Sequence, residues 1–277
     1  RRLSTFRVAP SMTATRNVID QEKMAVILQE VVGRQYGDRF YPTISGVARS
    51  LNYYPIAPEK AEEGIVSLAF GLGKYIVDGG QPLRVCAYHP NHVMQMSELD
   101  KALRETQTKF LALDMKAPQS EFQVDDGFNL LSIPVRQADK DGSLQWICST
   151  FDPHDQVIRD GFYEGGRKVI SFAGVLQNGV FPLPRLLQLA QEHGAGEMRR
   201  PVEIEFAVNL NPDRTGTLYL LQIRPIVDAK QELGEDLSLI ADDDCLLRSH
   251  KSLGHGIVDD VSHIVYVRTD NYNPGSN

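Results

Sequence analysis

Hydrophobic and polar positions alternate over several short stretches of the chain, and each such stretch predicts a strand. Met24 to Val32 (MAVILQEVV) is a run of β-formers that predicts a buried strand. Gly33 to Thr43 is polar, with two glycine-containing turns, and predicts a loop. Ile44 to Leu51 and Gly64 to Phe70 predict two more strands. Gly71-Leu72-Gly73 then leads into a short helix through Val77, ended by Asp78-Gly79-Gly80. Leu83 to Tyr88 and Lys109 to Met115 predict strands around a helix that runs through Thr106, with Ser97 as its N-cap.

Farther on, NLLSIPV, LQWICS and KVISFAG predict strands between residues 128 and 174. Leu183, Leu186, Leu187 and Ala190 share one helical face, which predicts a helix of roughly three turns closed by Gly194 and Gly196. Val202 to Leu210 and Thr217 to Ile226 predict an antiparallel hairpin across the Asn211 to Gly216 loop. Glu232 to Asp244 reads as an acidic linker, and Ile257 to Val267 as a further strand. Strands in this order, joined by turns and few helices, predict an α+β (mixed α/β) class with antiparallel strands.

Composition narrows the partners. The chain has 277 residues and a formal net charge of -7, which argues against a nucleic-acid partner. No apolar run approaches the ~20 residues that span a bilayer, so no membrane role is expected. Cys86, Cys148 and Cys245 are scattered and odd in number. No zinc site is expected from them; Cys86 and Cys148, in strand-like apolar runs, predict buried free thiols, and a reducing, cytoplasmic setting fits. His89, His92, His154 and His193 show no partner in the sequence, and His250, His255 and His263 read as surface or packing residues.

The chemistry concentrates in residues 201 to 225, PVEIEFAVNLNPDRTGTLYLLQIRP. Glu203 and Glu205 lie two apart on the first strand, so both leave one face. Gln222 and Arg224 do the same on the returning strand, and the hairpin brings the four together. Val202, Ile204, Phe206, Leu221 and Ile223 fall on the other face. Hard oxygen donors beside an arginine suit Mg²⁺ and phosphate. The same pattern also suits a solvated face with a cross-strand Glu–Arg pair.

This hairpin resembles the one that closes the nucleotide-binding domain of phosphoenolpyruvate synthases and pyruvate phosphate dikinases. There an acidic-x-Glu strand precedes a strand reading Leu-Tyr-x-x-Gln-x-Arg-Pro, matched here by Glu203, Glu205, Leu218, Tyr219, Gln222, Arg224 and Pro225. MAVILQEVV is similar to the family strand beside the adenine. SGVARSL with GLGKYIVDGG is similar to its Gly-Val-x-Phe-Ser/Thr strand and Gly-Leu-Gly-Glu turn.

The resemblance implies ATP and Mg²⁺ as cofactors and an ATP-grasp fold, with residues 1–230 as the C-terminal part of that domain. Residues 231–277 would be an acidic linker and the first strand of a swivelling phosphohistidine domain. Glu205 and Gln222 would lie near the metal, and Glu203 and Arg224 at the phosphates, with Arg224 catalytic. Gln29, Glu30, Val31 and Val32 would lie beside the nucleotide.

The parent would move a phosphoryl group from ATP through a phosphohistidine to pyruvate, giving phosphoenolpyruvate. This chain would supply part of the Mg·ATP clamp, be inactive alone, and bind ATP weakly by itself. Two departures stand out: Lys74 where the family has Glu, and Arg49 where it has Phe. They keep open a non-catalytic nucleotide-binding or regulatory module, or a related dikinase with another acceptor.

Overall fold

In the computed structural model the described residues are 27–116, 127–226, 241–248 and 261–266. In chain order the strands are β1 (Arg34–Tyr36), β2 (Arg39–Tyr41), β3 (Ile44–Arg49), β4 (Ile65–Ala69), β5 (Leu83–Val85), β6 (Lys109–Asp114), β7 (Leu130–Pro134), β8 (Cys148–Asp152), β9 (Val157–Asp160), β10 (Arg167–Ile170), β11 (Val202–Leu210) and β12 (Gly216–Pro225). The α-helices are α1 (Lys74–Val77), α2 (Leu99–Glu105), α3 (Ala173–Leu176) and α4 (Leu183–Met198). The strands form three sheets, ordered β1-β2-β6-β7, β10-β8-β9 and β12-β11-β3-β4-β5. Every pairing among the described strands is antiparallel.

The five-stranded sheet shows how side-chain alternation builds the core. Val202, Ile204, Phe206 and Val208 on β11, Ile44 and Ala48 on β3, and Val66 and Leu68 on β4 are buried on one face. Each such large side chain contributes about 1.5–3 kcal/mol on burial. Helix α4 covers this face with Leu183 and Leu187. Tyr41, Phe70 and Phe110 join this sheet to the four-stranded one, with ring centroids 4.5–5.4 Å apart. Gln107, itself buried, ties the same junction. It accepts from Phe70 N at 2.8 Å and donates to Phe70 O at 2.9 Å.

Several predicted elements differ from those observed. Residues 27–33 form no strand, and Ile27 and Leu28 are 85% and 69% exposed. An apolar run becomes a strand only where a neighbouring edge pairs its backbone, and Gln29 meets the hairpin through its side chain instead. The rest of that run, 24–26, lies outside the described residues. The predicted loop at 33–43 holds the β1–β2 hairpin. In LQWICS the first four residues form turns and the strand starts at Cys148. Strand β9 had no sequence counterpart. Ser97 caps nothing: its hydroxyl donates to Met94 O at 2.8 Å, and Glu98 takes the N-cap position of α2. Residues 261–266 of the predicted last strand carry no strand, and its other residues lie outside the described ones.

Helix α4 runs through both of the glycines expected to end it and stops only at Arg199, in the left-handed region at φ 51°. Gly194 instead lets the helix approach the sheet. A Cβ there would lie 2.6 Å from Ile223 Cδ1 and 3.2 Å from Val202 Cγ2.

Candidate site on the β3–β11–β12 face

The polar face of the large sheet begins with register. Across the hairpin, Glu203 pairs with Arg224 and Glu205 with Gln222. On the other side of β11, Glu203 pairs with Arg49 and Glu205 with Val47. The four residues expected to converge therefore do share one face, with Arg49 as a fifth. Their apolar neighbours on β11 fill the opposite face against α4.

Glu203 is the fixed point. Its side chain is 9% exposed, and both oxygens are taken. Arg49 Nε donates to Oε2 at 2.6 Å, and Arg224 Nε donates to Oε1 at 2.8 Å. Arg224 Nη2 also reaches Oε1. Burial raises the Glu203 pKa, but the two guanidiniums outweigh it and hold the carboxyl below its ordinary range. The balance is reasonable in magnitude. Desolvating one carboxylate costs several kcal/mol. Two close cations at a half-wet site return about 4 kcal/mol each. The arginines stay 47% and 53% exposed, so they lose little hydration.

Glu205 and Gln222 differ from Glu203. Glu205 is half-buried and Gln222 exposed, and neither side chain has a hydrogen-bond or ion-pair partner among the described residues. Their hard oxygen donors fit a Mg²⁺ ion that keeps water or phosphate oxygens in its other positions. No group of three or more His, Cys, Asp or Glu among the described residues could hold a metal by itself. The pair would thus be only part of a coordination shell.

Beside these residues the register slips between Glu205 and Phe206, so that Leu221 is an extra residue on β12. A bulge leaves the extra residue outside the ladder. Gln29 Nε2 occupies the Leu221 carbonyl at 3.0 Å, which brings the predicted nucleotide segment to the edge of the site. Glu30, exposed, and Val31 and Val32, half-buried, follow in the same irregular segment.

The Gly-Leu-Gly turn lies farther along the same face. Ser45, opposite Ala207, donates to Gly71 O at 2.7 Å. Lys74 opens α1 and bonds Asp78 at 3.0 Å.

Some residues were not legible as partners. Arg49 lies 154 positions from Glu203, and only the β3–β11 register reveals the pair. His89 and His154 show no partner in the sequence, yet His89 Nε2 lies 3.0 Å from Glu63 Oε2, and His154 Nδ1 lies 3.1 Å from Asp155. Among the described residues the three cysteines are free, with Cys86 and Cys148 buried, as expected. His263 is exposed, and His250 and His255 lie outside the described residues.

Two cavities, of about 380 Å³ beside Trp146 and Arg214 and about 350 Å³ beside Arg136 and Lys168, lie away from these side chains. On the polar face Arg49, Gln222 and Arg224 are exposed, and neither cavity is lined by any of the five residues of that face. No described helix is long and apolar enough to cross a membrane.

No curated protein matches the chain. The family described as pyruvate phosphate dikinase, AMP/ATP-binding domain, matches residues 7–242. The antiparallel sheets and sparse helices are those of a mixed α+β, ATP-grasp-like domain. The chain belongs to the pyruvate phosphate dikinase AMP/ATP-binding domain family.

Proposed function

We propose that the β3–β11–β12 face binds the phosphates and metal of Mg·ATP, and that the chain serves a phosphoenolpyruvate synthase-like phosphotransferase. The observation that carries this reading is the contrast between the two acids. Glu203 is consumed in holding arginines, while Glu205 stands opposite Gln222 with no other partner among the described residues. Glu205 and Gln222 are the metal's ligands in this reading, and Arg224 donates to phosphoryl oxygens. A bound Mg²⁺ would neutralise phosphate charge at this face. Gln29 at the bulge, with Glu30 and Val32, lines the nucleotide's other side.

The parent activity would be phosphoryl transfer through a phosphohistidine to pyruvate, giving phosphoenolpyruvate. Residues 1–230 would then be nucleotide-binding, and 231–277 the linker and start of the phosphohistidine domain. Free cysteines suit a cytoplasmic setting. A second reading, a nucleotide-binding module without turnover, is favoured by Arg49, whose ion pair replaces an aromatic family position. A related dikinase with another acceptor is a variant of the first reading.

Assaying ATP- and pyruvate-dependent phosphoenolpyruvate formation by the full-length parent protein separates these readings. Product formation that is lost in Arg224→Gln supports the first. Nucleotide binding without product from pyruvate or other acceptors supports the second. A protein that binds no nucleotide overturns both.

A further inference from the structure

We infer that Arg49 is the second arm of a polyphosphate clamp whose first arm is Arg224, with Glu203 as the buried pivot that positions both. This rests on the reading of the face as a phosphate site, and adds to it a residue from a different part of the chain.

Three adjacent strands set the geometry. Arg49, Glu203 and Arg224 are in register on β3, β11 and β12, so the arginines flank the acid from opposite sides. Their Cα atoms are two strand spacings apart, or about 10 Å. Both side chains fold inward onto one carboxylate, which brings the guanidiniums together above the sheet. Glu203 has both oxygens engaged and is buried, so it is not itself available to a ligand.

The arginines remain open to a ligand. Arg49 uses only its Nε on Glu203, and among the described residues nothing else bonds its Nη nitrogens. Arg224 uses Nε and Nη2, both on Oε1, and keeps Nη1. Both side chains are about half exposed.

Within the triad one arginine balances Glu203 and the second is a surplus positive charge; Glu205 on the same face offsets it, so the two guanidiniums rather than a net charge carry the recognition. Guanidinium donors match phosphate oxygens, and two guanidiniums engaged on separate oxygens of one pivot suit adjacent phosphates better than a single one. The ligand class is therefore a di- or triphosphate.

The test uses the chain and inorganic tripolyphosphate, which has no base or sugar, without divalent metal. Binding is followed by calorimetry and by the NMR signals of the arginine Nε–H groups. Arg49→Gln and Arg224→Gln are each expected to weaken tripolyphosphate binding about tenfold or more. Orthophosphate binding should respond to Arg49→Gln much less. The Arg224 Nε–H signal of unliganded Arg49→Gln should stay near its wild-type position, which shows that Arg49 does not act merely by placing Arg224. Partial recovery of tripolyphosphate affinity is expected for Arg49→Lys.

Arg49→Gln that binds tripolyphosphate as tightly as wild type, or a wild-type chain that does not bind it, overturns the clamp. Tripolyphosphate bound through both arms by a chain that ignores ATP supports the clamp and sinks the nucleotide reading.

Discussion

Glu203 and Glu205 leave the same face of β11 two residues apart, yet among the described residues two guanidiniums hold the first carboxylate and none holds the second. On the proposed reading the difference gives them separate roles, one structural and one open to a ligand. Glu203→Gln leaves two arginines converging on a neutral amide and should lower stability by about 1–3 kcal/mol. Glu205→Gln breaks no bond among the described residues, and its stability should stay within about 0.5 kcal/mol of wild type. Urea unfolding midpoints of the two variants check this ordering. In Mg²⁺-dependent nucleotide binding the sensitivity should run the other way for the metal, with Glu205→Gln removing the dependence on Mg²⁺.

The same ion triad carries a pH dependence with a definite sign. The Glu203 carboxyl is held below its ordinary value of 4.5 in the folded chain. The folded state therefore keeps it ionised at lower pH than the unfolded state does. Its stabilisation is complete above the unfolded value and is lost as pH falls through the folded one. The stability gap between wild type and Glu203→Gln should be constant at neutral pH and close as the pH drops below about 4.5. Chemical unfolding of both proteins between neutral and acid pH measures the gap, and a gap that widens in acid would contradict the triad.

Two glycines of α4 give graded expectations. Gly196 has nothing within 4 Å of a built Cβ, so Gly196→Ala should stabilise by up to about 1 kcal/mol through helix propensity. At Gly194 the nearest atom is the terminal Cδ1 of the partly exposed Ile223, which can swing aside, while buried Val202 Cγ2 at 3.2 Å has to give slightly, so Gly194→Ala should gain less than Gly196→Ala. Thermal melts should therefore rank Gly196→Ala above Gly194→Ala.

The Gly-Leu-Gly turn divides in the same manner. Gly71 has φ +84°, and a Cβ there would meet Leu111 O at 2.7 Å. Gly73 has right-handed helical dihedrals, and its Cβ would touch only Ser45, at 3.4 Å or beyond. Gly71→Ala should cost more than 1 kcal/mol by about the usual left-handed penalty plus the clash, and Gly73→Ala should be close to neutral. Circular dichroism melts distinguish the two.

The hairpin was legible because its information is local. Alternation at period two put Glu203 with Glu205 and Gln222 with Arg224, and the turn between the strands fixed the return. The partnership of Glu203 with Arg49 was not legible, because it depends on β3 pairing with β11 across more than half the chain. The bulge at Leu221 was hidden too, since nothing in the side-chain pattern marks an extra residue. Strands β1 and β2 have three residues each, too few for alternation to register. The apolar run at Ile27 and Leu28 misled in the opposite sense, because apolar β-formers make a strand only beside an edge that accepts them. In the sequence Gly194 looks like a stop because its packing role depends on Ile223, on a strand still to come.

The most direct test is an NMR titration of the chain with Mg·ATP, which registers contacts even at weak affinity. The amides of residues 203–206 and 220–224 and the Nε–H groups of Arg49 and Arg224 should shift together, and Glu205→Gln should abolish the part that depends on Mg²⁺. Shifts confined to the cavity beside Trp146 or to the α4 side of the sheet, with this face silent, would contradict the assignment.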